Sequence, residues 1–158
     1  MKKPGFLNKL RKEGKLSLVE PSEEIKQAYI EKSDSNLASA KILLQNNRLE
    51  EAVALVYYSM YHALTAMLFR TGIKSENHSA SIILLKRVFG IDNSEISYSK
   101  KERVDKQYYV DFKITKDEVN DAIKKAEEFN SKLTDFISRL TNEDVKACRK
   151  KFREIIGI

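Results

Sequence analysis

The sequence predicts an all-α fold: an up-down antiparallel bundle of four to five main helices preceded by a basic N-terminal arm. Three observations carry this expectation. No segment alternates apolar and polar residues with the period of two that a half-buried strand shows. Only five Gly and two Pro occur in 158 residues, so few interior positions must interrupt a helix. The 18 residues from Ala52 to Phe69 carry no charge, and a helix apolar on most faces is one surrounded by others.

The elements follow in order. Residues 1–20 read as an irregular, basic arm holding Pro4, Gly5 and Gly14, with Phe6, Leu7, Leu10, Leu16, Leu18 and Val19 available to dock it on the body. Residues 21–158 read as the helical body. Ser22 is placed to cap a first helix, and Glu23 and Glu24 suit the positive end of its dipole. That helix ends near Gln45-Asn46-Asn47. The second runs from Leu49 to Thr71, with Gly72 as its stop. Its uncharged stretch reaches the length of a membrane span, but it holds Tyr57, Tyr58, Ser59, Tyr61, His62 and Thr65, and the amphipathic helices around it need a core to cover. A short loop, Gly72 to Asn77, leads to a helix over His78–Phe89, stopped by Gly90. Ile91 to Ser99 reads as loop and Lys100 to Asp111 as a short helix. Thr115 and Glu118 form a capping box for the next helix. Thr141 to Asp144 is a weaker start for a last helix ending at Ile155-Ile156.

Charge is unevenly placed. The chain carries +6 at neutral pH; residues 1–16 hold +5, residues 146–158 hold +4, and the stretch between sums to −3. Basic ends favour a phosphate-bearing partner, although the same charge also serves solubility. The single cysteine, Cys148, excludes an intramolecular disulfide and fits a reducing cytoplasm. No apolar run follows the basic N-terminus, so no signal peptide is expected.

Several chemistries are excluded by residue type. There is no phosphate-cradling Gly-rich loop, and one Cys with two His gives none of the clustered Cys and His that zinc chemistry needs. No Glu stands three residues before either His, so the paired Glu-x-x-His of di-iron bundles is missing; no metal and no cofactor is expected. What stands out is Tyr57, Tyr58, Tyr61 and His62 inside the central helix. Buried phenols and imidazoles need partners. Either they tie helices together, or they line a polar pocket in which His62 does acid–base chemistry or binds phosphate. His78, at a predicted helix start, either sits beside ordinary capping residues or meets an anion there. Arg103, Asp105, Lys106, Tyr108 and Tyr109 form a third group, a solvated helix face or part of the same site.

Taken together, these groups resemble the HEPN family. Ala54-Leu55-Val56-Tyr57-Tyr58-Ser59-Met60-Tyr61-His62-Ala63 is similar to the YYAMFHA-type helix of archaeal and bacterial members. Gly72 to Ser79 is similar to the loop-and-His segment that follows it, Glu102 to Phe112 to the Arg-then-Asp/Tyr segment, and Thr115 to Phe136 to the last family helix. The resemblance covers roughly residues 22–140 and leaves 141–156 as an added C-terminal helix. It implies a four- or five-helix bundle, often a homodimer, working near nucleotides or RNA, in many members beside a minimal nucleotidyltransferase as a toxin–antitoxin pair. It also implies ligand-binding roles for Tyr57, Tyr58, Tyr61, His62, His78, Arg103, Asp105, Tyr108 and Tyr109.

The family's ribonuclease members carry an Arg followed after four to six residues by His, and this chain departs from that pattern. The allowed positions before His62 hold Tyr57, Val56 and Leu55, and those before His78 hold Ile73, Gly72 and Thr71. No cation is then at hand to steady a developing phosphate charge, unless Arg70 or Arg103 supplies it from elsewhere. The leading expectation is a cytoplasmic module that binds nucleotide, RNA or a nucleotidyltransferase partner without the family's ribonuclease activity. The alternatives are a metal-independent, toxin-like ribonuclease using His62 as its catalytic residue, and a purely structural oligomeric scaffold.

Overall fold

The computed structural model describes residues 3–108 and 113–158, with side chains over 5–104 and 113–158. Its elements are α1 (Lys3–Lys12), β1 (Leu16–Leu18), α2 (Glu23–Gln45), α3 (Leu49–Thr71), β2 (Ile73–Ser75), α4 (His78–Arg87), α5 (Ser94–Tyr108), α6 (Lys116–Arg139) and α7 (Asn142–Ile156). The architecture is all-α, with one two-stranded ribbon at an end of the bundle.

The capping residues set the helix bounds. Ser22 accepts from the Ile25 N–H at 3.0 Å. Complete capping boxes open α6 at Thr115/Glu118 and α7 at Thr141/Asp144. Gly72 ends α3 with φ of 73°, a left-handed conformation that a side chain resists. α3 is the core: Tyr57, Met60, Leu64, Met67 and Leu68 are all fully buried. It is long and apolar enough to cross a membrane, but 67% of its most apolar stretch is buried within the bundle.

α2 and α3 run antiparallel and approach closely through small polar residues. Ser33 Oγ donates to the Ser59 carbonyl at 2.7 Å, and Ser59 Oγ returns a bond to the Ser33 carbonyl at 2.8 Å. Asn130 of α6 donates to Ser59 Oγ at 2.9 Å, joining the third helix to the same point. α6 runs in the same direction as α3, as the Ser59–Asn130 and Arg70–Leu140 hydrogen bonds require.

Three expectations change. The arm read as irregular is a helix followed by a strand: Pro4 and Gly5 fall in the first turn of α1, where backbone N–H groups have no helical acceptor in any case. Its Leu7, Leu10 and Leu16 are buried in the core. Residues read as strand-free pair as β1 and β2, antiparallel, with Leu16 opposite Ser75 and Leu18 opposite Ile73. The segment Ile91 to Ser99, read as loop, already holds the start of α5. Asp92 takes both the N–H and the hydroxyl of Ser94, and Ile96 buries fully three residues before the buried Ser99.

One side chain locks this end of the fold. Arg149 Nη1 donates to the carbonyls of Val19, Thr71 and Gly72 at 2.8, 3.1 and 3.0 Å. It thereby neutralises the negative end of the α3 dipole and pins the end of β1 to α7.

Candidate functional site

α3 is buried around most of its circumference, but Tyr58, His62, Thr65 and Phe69 remain half-buried. At spacings of four, three and four they form one stripe along the helix. α2 walls this stripe on one side. Tyr29 stands 5.7 Å from the His62 ring and stacks on Phe69 at the same distance, and exposed Lys32 lies 5.7 Å from the Tyr29 ring centre. The other wall is the start of α4 together with α5.

That second wall is a tight polar assembly. Tyr57 Oη and His78 Nδ1 are 2.8 Å apart. The Tyr61 ring stacks on the His78 imidazole, 3.8 Å between centres and 15° between planes, and its hydroxyl meets Ser81 Oγ at 3.1 Å. Ser81 in turn donates to Ser75 and to the Asn77 carbonyl. Asn77 caps α4 through the Ala80 N–H, so His78 sits at the positive end of that helix. The Arg103 guanidinium lies 5.3 Å from the Tyr57 ring centre and 5.5 Å from that of Tyr58, and donates to the Tyr58 hydroxyl at 3.3 Å. Lys100 Nζ donates to Ser79 Oγ at 2.6 Å.

Burial and charge set the protonation states. Burial pushes the Tyr57 and Tyr61 phenols up, so both stay protonated. Burial lowers His78, and Arg103, Lys100 and His62 lower it further. His62 is lowered by burial and then by Lys32. Lys100 is lowered by burial and by Arg103. Both imidazoles are therefore neutral at pH 7. His62 Nδ1 is buried and makes no hydrogen bond among the described residues.

The site thus unites Tyr57, Tyr58, Tyr61, His62, His78 and Arg103, drawn from three helices. The side chains of Asp105 and Tyr108, and all of Tyr109, lie outside the described residues. Arg70, the other candidate cation, is not at the site. It ion-pairs with Glu23 at 2.6 Å and donates to the Leu140 carbonyl, eight residues or about 12 Å along α3 from His62. Cys148 is half-buried, and burial followed by Asp144 raises its thiol. Among the described residues no cluster of three or more His, Cys, Asp or Glu could hold a metal. Sequence reasoning missed Tyr29, Lys32 and Lys100. Lys100 had a signal, since it precedes Arg103 by three and shares its helix face; the α2 residues had none.

Comparison with known proteins follows the same outline. Residues 26–136 match the model of the HEPN domain. A Methanocaldococcus jannaschii protein named "Putative toxin" is 32% identical over 114 residues, 68% of this chain and 84% of that protein. A UPF0332 protein of Thermotoga maritima is 30% identical over 133 residues, 78% of this chain and 96% of that one. A Pyrococcus horikoshii UPF0332 protein is 38% identical over 69 residues, which span 44% of this chain and less than half, 45%, of that relative.

Proposed function

The chain belongs to the HEPN domain family, and from that premise we propose that it is a cytoplasmic nucleotide- or RNA-binding module whose ligand lies along the α3 stripe. One observation carries this reading: a guanidinium, an ammonium and a helix N-terminus converge beside a half-buried aromatic ring, at Arg103, Lys100, His78 and Tyr58. Cations at that point suit a phosphate. Tyr58, His62 and Tyr29 offer faces on which a base stacks, with each stacked base worth about 1–3 kcal/mol. Tyr57, Tyr61 and Ser81 hold His78 from behind. The test is fluorescence anisotropy with labelled mononucleotide and single-stranded RNA, in chelator and low salt. Tyr58→Ala and Arg103→Ala are expected to weaken binding by tenfold or more without any cleavage of the RNA. Absence of micromolar binding by the wild type would reject the reading.

A second reading, a metal-independent ribonuclease, is favoured by His62. Its Nδ1 is unengaged among the described residues, its lowered pKa keeps it neutral and able to take a proton, and Arg103 supplies the cation that the sequence spacing lacks. The toxin in the name of the M. jannaschii relative supports it too. Cleavage in chelator that stops in His62→Ala would select this reading over simple binding. A nucleotidyltransferase partner and a homodimer belong to both readings, and co-purification with sedimentation analysis tests them. If His62→Ala changes only stability, the module is a scaffold.

A further inference from the structure

The charge of this chain is concentrated in the two helices that flank the HEPN-matched residues. α1 and α7 lie outside that match, and they pack against each other. Together they hold nine cations and three carboxylates, a net of +6, which is the formal net charge of the whole chain. The other 133 residues therefore balance, with 20 charges of each sign.

The arrangement within the helices is equally one-sided. Leu7 and Leu10 of α1 and Val145, Phe152 and Ile156 of α7 point inward and are buried. Lys9 and Lys12 are exposed three apart on α1, and Lys146, Lys150 and Arg153, at spacings of four and three, form a stripe on α7. Lys9, Lys12, Lys150, Lys151 and Arg153 have no ion-pair partner among the described residues. Two of the three carboxylates are engaged in the first turn of α7: Asp144 in its capping box and Glu143 with Lys146. Arg149 is turned inward onto three carbonyls and holds α7 rigidly beneath the stripe.

We infer that α1 and α7 form a second interaction surface, separate from the α3 stripe, that tracks the phosphate backbone of a nucleic acid. A helix of 15 residues is about 22 Å long, the reach of several consecutive phosphates on one strand. A lipid surface fits less well, because a membrane-lying helix turns its apolar face outward and here those faces are buried. The exposed cations of α1 and α7 are mostly lysines, and contacts to phosphate carry no sequence information, so the contribution of this surface is expected to be independent of sequence and to fall with salt. This inference goes beyond the ligand reading of the α3 stripe, and the two fail separately.

The test uses the full chain and the variant Lys9→Gln, Lys12→Gln, Lys150→Gln, Arg153→Gln, all exposed positions at which the circular dichroism and unfolding midpoint are expected to stay unchanged. Binding of a 20-nucleotide single-stranded RNA, the same DNA strand, a DNA duplex and phosphatidylglycerol vesicles is followed against salt. The wild type is expected to bind at least one of the nucleic acids. The variant is expected to bind it at least tenfold more weakly at low salt. Its log–log salt slope should shrink by about 0.7 for each phosphate no longer neutralised on a single strand, or about 0.9 on a duplex. Mononucleotide binding is expected to be unaffected, whereas Tyr58→Ala is expected to weaken it by tenfold or more and to leave the salt slope in place. An unchanged affinity and slope in the quadruple variant, failure of the wild type to bind any nucleic acid, or a charge-dependent preference for vesicles would each overturn the inference.

Discussion

Tyr57 and His78 stand 21 residues apart in sequence and share a 2.8 Å hydrogen bond across the α3–α4 boundary. Burial keeps the phenol protonated and the imidazole neutral; a phenol O–H is a stronger donor than an imidazole N–H, so Tyr57 is expected to donate and Nδ1 to accept. The proton of His78 then resides on Nε2, a tautomer set by the bond its other nitrogen makes.

That assignment is measurable. Long-range nitrogen–proton correlation spectra at pH 7.5 are expected to show His78 as the Nε2–H form. In Tyr57→Phe the preference should relax toward a mixture, and stability should fall by about 0.5–1.5 kcal/mol for the lost bond. An unaltered tautomer ratio would mean that stacking on Tyr61 orients the ring instead.

The two imidazoles make stability depend on pH. Both are lowered from the ordinary 6.5. Between that value and the lowered ones the unfolded chain binds protons that the folded chain refuses, so stability rises with pH across this window. Urea midpoints are expected to hold above about pH 7 and to drop as pH falls through 6.5 toward the lowered values. A His62→Gln, His78→Gln variant should show a flatter profile; an equal slope in the variant would assign the effect to other groups.

The Ser33–Ser59–Asn130 junction sets a different expectation. Ser59→Ala removes the acceptor of Asn130 Nδ2 and the donor to the Ser33 carbonyl. Leaving buried polar groups unpaired costs about 1–3 kcal/mol, read as a lower denaturant midpoint at constant m. Binding at the α3 stripe should be unaffected, because Ser59 lies roughly a quarter turn around the helix from the stripe and faces the junction with α2 and α6.

Arg149→Met keeps the aliphatic stem and withdraws the donor from three carbonyls. A destabilisation of about 1.5–3 kcal/mol is expected from charge-assisted bonds alone, accompanied by faster proteolysis between α1 and β1. Gly72→Ala should act at the same point, since its Cβ would meet Arg149 Nη1 and the Val19 carbonyl in a backbone conformation with φ of 73°.

Much of this architecture was legible from particular residues. Gly72, Ser22, Thr115 and Thr141 mark helix ends because each carries a local rule: left-handed backbone in one case, side-chain capping in the others. The three-residue strands were illegible because so short a segment cannot display alternation. α1 was hidden because Pro4 and Gly5 resemble breakers when their position in the first turn is unknown. The start of α5 was hidden because an Asp-Asn-Ser turn and a helix start use the same side-chain bonds. At the site, the helical spacing of Tyr58 and His62 put them on one face. That His78 belongs to Tyr57 and Tyr61, and that Arg103 rather than Arg70 joins them, depends on how α4 and α5 pack, which no local pattern encodes.

The clasp at Arg149 also orders events in time. Its bond to the Val19 carbonyl joins residues 130 positions apart. A ribosome adding about 5–20 residues per second delivers Arg149 on the order of ten seconds after Val19. Through that interval β1 can pair with β2, yet the carbonyls of Val19 and Thr71 still await this donor. β1 is therefore secured only when α7 arrives.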